Sequence, residues 1–249
     1  MTLLFLAALA LLLVVMKLTA IWVRGSWRGL PWQFFLSPLV SPSSPLTPLP
    51  DGVASRLAVR TSAFTAVTIL AYWVYWNRFV PTGWHPIFFS YTGAVFLWLV
   101  GEVFSALTCL LWLVTGKLLP PVLNAPWRAR GLADFWRCRW NTWFSDWFRY
   151  VVLSRFRRRP ELGLMMAFFI SGLMHEWVIN LCLYLAAGRI LWGTMMIYFL
   201  GQGVGVLFER RFLRRAGWRR TVFGWLMVLG PAPLILNEGL LRALHLWPF

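Results

Sequence analysis

Apolar residues run almost unbroken from Leu3 to Val23, interrupted only by Lys17 and small polar side chains. At about 20 residues, the run is long enough to cross the hydrocarbon core of a bilayer. It lacks a basic leading segment and an obvious small-residue cleavage site, so it reads as a retained helix rather than a removable leader. Further apolar runs fall at 57–80, 87–115, 161–187, 190–208 and 221–241. These predict six membrane spans, and at most eight. The 87–115 run exceeds one bilayer thickness and is either tilted or extended along the interface. Residues 31–52 carry prolines at 31, 38, 42, 45, 48 and 50 among serines, which predicts an extended loop. Gly230-Pro231-Ala232-Pro233 is expected to break or kink the last span. The expected fold class is all-α: a polytopic transmembrane helical bundle forming one integral membrane domain over residues 1–249.

Residues 134–151 fit neither a span nor a simple loop. Trp136, Trp140, Trp143, Trp147 and Val151 recur at steps of four and three, while Asp134, Arg137, Asn141, Ser145 and Arg149 form a second stripe at the same period. The pattern predicts an amphipathic helix, either anchored in the membrane surface or turning its polar stripe to an internal cavity.

Composition agrees with a membrane protein. Hydrophobic residues make up 59% of the 249 residues and charged residues 13%, which excludes a disordered tail or an ordinary cytosolic enzyme. Three cysteines (109, 138 and 182) without CxxC spacing indicate neither a zinc site nor a disulfide framework. The net charge is nonetheless +16. Of the 24 Lys and Arg residues, 20 fall in the 24–60, 116–160 and 209–220 loops, whereas the alternate loops and the C-terminal segment carry only Arg78, Arg189 and Arg242. This positive-inside pattern predicts cytoplasmic arginine-rich loops and both termini outside. The arginines then act as topological signals with anionic-lipid contacts, or additionally attract a phosphorylated substrate. No nucleic-acid module accompanies the charge, so nucleic acid is not an expected partner. Arg outnumbers Lys 22 to 2, which favours a GC-rich bacterial source, and hence a plasma membrane, over endoplasmic reticulum.

The 161–187 run holds the candidate chemistry. His175 lies about 13 residues in, roughly 20 Å along a helix and so near the midplane. Glu176 follows it directly, Ser171 is one turn before it, and Asn180 is one turn after Glu176. An ionisable residue at this depth costs roughly 2.5–3.5 kcal/mol on insertion scales, so it serves either an interhelical hydrogen bond or a function. Position 179 is Ile, so no HExxH metal motif exists, and His85 and His245 are expected near the opposite, outer surface. A neutral imidazole can take a proton from a hydroxyl. With no GxSxG elbow to supply a serine nucleophile, the simplest scheme is direct: His175 deprotonates an acceptor hydroxyl, which attacks an activated acyl carbonyl. An amide such as Asn141 can orient a reactant or donate to the oxyanion.

Leu-Ala-Asp-Phe-Trp-Arg-Cys-Arg-Trp-Asn at 132–141, followed by Ser-Gly-Leu-Met-His-Glu at 171–176, resembles the wax synthase-like branch of the membrane-bound O-acyltransferases. The likeness is concentrated between about 100 and 210, the expected acyltransferase core. It implies transfer of an acyl group from acyl-CoA, a co-substrate rather than a bound cofactor, to the hydroxyl of a lipophilic acceptor. It places the family's catalytic His and Asn at His175 and Asn141. Trp140, Arg139, Ser171, Glu176 and Glu102 are the accompanying candidates for substrate contact, with no metal ligands. Glu102, mid-span, either pairs with a buried polar group or lines the cavity. Gly201 and Gly205 read as a close-packing small-xxx-small pair. The competing class is a non-catalytic membrane protein, a lipid transporter or partner subunit, that retains the motif. A prenyltransferase would need Asp-rich diphosphate motifs, and the aspartates at 51, 134 and 146 are too scattered.

Overall fold

The structure, a computed structural model, describes residues 2–42, 46–82, 86–213 and 217–247. His85, Arg214, Arg215 and Pro45 lie outside the described residues. Helix α1 (Thr2–Arg24) leads to a short α2 (Trp32–Leu36), a two-residue strand β1 (Thr47–Pro48), and α3 (Val53–Val74). Then come α4 (Pro86–Trp112), strand β2 (Lys117–Leu118) antiparallel to β1, and the short α5 (Leu132–Asp134) and α6 (Thr142–Trp147). The chain closes with α7 (Pro160–Ala187), α8 (Thr194–Phe212), α9 (Trp218–Leu229), α10 (Ala232–Ile235) and α11 (Glu238–Ala243). The antiparallel α7–α8 pair is the most extensive packing in the molecule, with α1 laid on α7 and α3 paired with α4.

Four helical stretches among the described residues are long and apolar enough to cross a membrane: Thr2–Arg24, Val53–Phe79, Ile87–Thr115 and Pro160–Leu185. Their outer faces carry exposed leucines, isoleucines and tryptophans, the surface a bilayer covers. The other two expected spans differ from the pattern. The 190–208 run begins as helix only at Thr194, because Gly188 ends α7 in the left-handed region (φ 63°) and a turn intervenes. The 221–241 run is not one helix. Gly230-Pro231 stops α9, and α10 and α11 complete the path as short pieces, the break that the two prolines predict.

Three further expectations are corrected. The proline-rich 31–52 segment is not wholly extended: α2 forms behind Pro31, and the Lys17 ammonium donates to the Phe34, Phe35 and Ser37 carbonyls at its C-terminal end. That bond set also explains a lysine within the first apolar run. Arg56 and Arg60 are helical residues of α3 rather than loop residues. Arg60 forms an ion pair with the fully buried Glu102, whose other oxygen accepts from Trp98 Nε1 at 3.2 Å. Glu102 thus takes the pairing alternative. The tight glycines of α8 are Gly203 and Gly205, where a Cβ would meet Met165 and Leu132 at 3.0 and 2.8 Å, whereas Gly201 faces open space.

The amphipathic helix expected over 134–151 is also interrupted. A π-turn (Phe135–Arg139) follows α5, Trp140 turns extended, and Asn141 turns left-handed (φ 43°) before α6. Two of the segment's four tryptophans are core rather than a lipid anchor, while Trp136 and Trp140 are half-buried. Trp143 and Trp147 are buried, and their indole N–H groups donate to the Pro120 and Met16 carbonyls, both at 2.8 Å. An indole N–H removed from water usually takes such a partner.

The two ends of the bundle differ in chemistry. At one end, Thr2 Oγ1 donates to the Ala243 carbonyl at 2.9 Å, and Arg189 of the α7–α8 turn pairs with Glu238 of α11 at 2.9 Å. Both ends of the described chain therefore meet there. The opposite end holds the Arg60–Glu102 pair and Glu209, which pairs with Arg220.

Candidate active site

His175 sits midway along α7, half-buried, with its ring 4.3 Å from that of Phe199 on α8. Its Nδ1 lies 2.7 Å from the Ser171 carbonyl oxygen. A carbonyl only accepts, so Nδ1 carries the proton and Nε2 is left as the basic nitrogen. Ser171 therefore meets the histidine through its backbone, one turn earlier on the same face.

Glu176, the next residue, points elsewhere. Its carboxylate is fully buried: Oε1 accepts the Gly193 and Met196 N–H groups at 2.8 and 3.0 Å, and Oε2 accepts from Asn180 at 2.7 Å. Asn180 in turn accepts the Leu191 N–H at 2.7 Å. The pair caps the N-terminus of α8 from the neighbouring helix, where a carboxylate complements the helix dipole.

The 132–141 segment lies against α8 beside the histidine. Glu209, near the end of α8, is buried and accepts the Leu132 and Ala133 N–H groups while pairing with Arg220 at 2.9 Å. Trp136 donates to the buried Gln202 at 3.1 Å, and its ring lies 5.8 Å from Phe199 and 5.9 Å from Phe168. Arg139 is held by Asp134 at 3.3 Å and by the Asn124 carbonyl at 3.4 Å. Trp140 stacks on Phe135 at 5.6 Å. Asn141 Oδ1 accepts the Phe144 N–H at 3.4 Å and caps α6, leaving its amide N–H₂ without a hydrogen-bond partner among the described residues. Among those residues no hydrogen bond joins Asn141 to His175; the two motifs each pack against α8.

Phe199, Gln202 and Glu209 were not among the sequence candidates. The signal was present, however. Gln202 and Glu209 interrupt an apolar helix seven residues apart and so share a face, with Phe199 one turn before Gln202. Two clefts of about 640 and 630 Å³ flank the bundle. The first, lined by Asn124, Thr142, Asp146, Arg149, Tyr150 and Arg157 among others, opens beside Asn141; the second is apolar and lies between α3, α4 and the C-terminal segment. His175 lines neither. Among the described residues no cluster of His, Cys, Asp and Glu is arranged to hold a metal ion.

A polytopic helical membrane protein with an imidazole held in one tautomer inside the bundle is the class these features define. Comparison with known proteins narrows it. Residues 119–200 match the membrane bound O-acyl transferase family. The chain is 31% identical over 152 residues to a probable long-chain-alcohol O-fatty-acyltransferase 8 of Arabidopsis thaliana, covering 54% of this chain and 44% of that protein. It is 33% identical over 126 residues to the long-chain-alcohol O-fatty-acyltransferase of Simmondsia chinensis (45% and 35% covered). It is 27% identical over 113 residues to diacylglycerol O-acyltransferase 1 of Dictyostelium discoideum (44% and 17% covered). The resemblance drawn from the two motifs, to membrane-bound O-acyltransferases of the wax synthase-like branch, is borne out. The matched stretch contains both Asn141 and His175. The matches span less than half the length of these relatives.

Proposed function

We propose that this chain is the core of a membrane-embedded O-acyltransferase that transfers a fatty acyl group from acyl-CoA to the hydroxyl of a lipophilic acceptor, such as a long-chain alcohol. The observation that carries the reading is the Nδ1–Ser171 bond, which leaves Nε2 of a mid-span histidine as the proton acceptor. The acceptor O–H proton passes to Nε2, and the oxygen attacks the thioester carbonyl. The C–S bond then breaks, the ester is released, and the CoA thiolate recovers the proton from the imidazolium. The Asn141 amide donates to a reactant carbonyl or to the developing oxyanion. Arg139 and Trp140 border the donor's path, and the arginine-rich end faces the cytoplasm, where a polyanionic donor arrives. Ser171, Glu176 and Glu102 act by position: the first through its carbonyl, the second through the start of α8, the third through Arg60. The acyltransferase core occupies 100–210, and α8 with α9–α11 completes six membrane crossings, α8 being roughly 28 Å long at 1.5 Å per residue.

The test is release of CoA and formation of ester by the purified chain in lipid vesicles, with labelled fatty acyl-CoA against alcohols, sterols and diacylglycerols. Transfer is expected with at least one acceptor, and His175→Ala should lower it by about 100-fold or more while leaving the folded protein intact. Ester formation undiminished in His175→Ala overturns the assignment of the base. No CoA release with any acceptor overturns the enzyme reading in favour of a lipid-handling protein.

A further inference from the structure

Gln202 is a polar residue with no exposed surface in the middle of an apolar helix. Burying an amide is costly unless both of its ends are bonded. Here both are: Oε1 accepts the Trp136 indole N–H at 3.1 Å, and Nε2 donates to the Met227 carbonyl at 2.6 Å. Indole N–H is only a donor and a carbonyl only an acceptor, so the two partners fix the amide's orientation. A leucine would fill the same space without this expense, which makes the glutamine a choice of geometry rather than of packing.

What that geometry sets is the Trp136 ring. It lies in an aromatic nest with Phe135, Phe168, Tyr198 and Phe199 at centroid distances of 5.1 to 6.5 Å. Apolar walls tolerate several indole orientations, and the hydrogen bond selects one. Phe199 touches both Trp136 and His175. The Ser171 carbonyl fixes rotation of the imidazole about its own axis, and Phe199 limits where the ring can swing. We propose that Gln202 is a positioning residue for acyl transfer: it fixes Trp136, and through Trp136 the Phe199 ring against which His175 lies. The inference rests on the reading of His175 as the base, and it makes α8 the element that aligns the two motifs.

The test uses Gln202→Leu, Trp136→Phe and the double variant in the full chain, in a background carrying His85→Gln and His245→Asn so that His175 is the remaining histidine. Misplacing a reacting group by as much as 1 Å costs up to about 100-fold, so each single variant should lower kcat by about 10-fold or more, with KM for donor and acceptor within about twofold. The double variant should be no worse than about threefold below the poorer single one, since both changes break one bond. Independently of turnover, the rate at which diethyl pyrocarbonate modifies His175 should change at least about threefold in each variant, because it reads the placement of Nε2 directly. An unchanged kcat, or a lowered kcat with an unchanged modification rate, overturns the proposal; the second result would leave Gln202 a purely structural residue. If the unaltered chain transfers no acyl group, the functional reading fails while the modification rates still decide this one. Should Gln202→Leu not fold, Phe199→Leu and Trp136→Phe carry the same two measurements.

Discussion

At Asn141 the backbone enters the left-handed region, φ 43°, which Asn tolerates better than most residues, and the side-chain oxygen caps the helix that follows. That is a sufficient structural reason for asparagine, and it competes with a catalytic one. The two separate cleanly by substitution. Glycine adopts the left-handed conformation and serves as a helix N-cap at a cost of only a few tenths of a kcal/mol, but it removes the amide. Asn141→Gly should therefore keep the fold and lower acyl transfer by about 100-fold or more, the usual loss on removing an oxyanion donor. Asn141→Asp keeps the capping oxygen and loses the N–H₂, and its transfer should fall by a similar factor. Thermal unfolding in detergent and initial rates on the same preparations check both; near-normal turnover in Asn141→Gly would reduce Asn141 to a capping residue. Glu176, the residue after His175, shows the opposite division. All of its described bonds go to Asn180 and the start of α8, so the carboxylate is spent on the α7–α8 junction and makes no hydrogen bond to the imidazole among the described residues.

Helix α9 lies so close to the start of the first motif that a Cβ on Gly224 would stand 2.7 Å from the Leu132 nitrogen and 2.8 Å from the Gly131 carbonyl carbon. Those are backbone atoms and cannot rotate away. Gly224→Ala should therefore destabilise the protein by about 1–3 kcal/mol through overpacking. Gly201→Ala, in open space on α8, should be neutral or stabilising by up to about 1 kcal/mol, the helix-propensity gain. Detergent denaturation midpoints compare them, and equal midpoints would contradict the close packing. Four helices of span length, the histidine-bearing one among them, and the break at Gly230-Pro231 were legible in the sequence, because an apolar run of bilayer length and a proline in a helix act locally. The continuity of 134–151 was not. Its tryptophans keep helical spacing across a break at Trp140–Asn141, since Trp136 answers to Gln202 while Trp143 and Trp147 answer to Pro120 and Met16. A period shared by two short pieces is indistinguishable from one helix until the partners are known. The same limit hid Gln202 and Glu209, whose meaning lies in what they bond 66 and 77 residues away.

Across the whole molecule, the contact of Thr2 with Ala243 and the pairing of Arg189 with Glu238 gather the N-terminal end of α1, the α7–α8 turn and α11 at one pole. Fourteen of the 24 cations lie toward the other pole: ten in the 117–160 segment, Arg210 and Arg211 at the end of α8, and Arg219 and Arg220 at the start of α9. Buried there, Glu209 ties Arg220 to the first motif, so part of the positive charge is structural. The Arg149–Asp146 pair borders the cleft beside Asn141, also at this pole. If insertion follows the positive-inside rule, this pole lies in the cytoplasm, and the charged donor proposed above would reach the motif without crossing the bilayer. Two exposed arginines test the orientation, Arg78 at the end of the second span and Arg158 just before α7. In a background with the native cysteines replaced by serine, Arg78→Cys should react with a membrane-impermeant maleimide in intact cells. Arg158→Cys should react only after permeabilisation. The reverse pattern would put the arginine-rich pole outside. A soluble cytoplasmic donor would then have no direct route to Asn141, and the proposed order of substrate entry would fall with the topology.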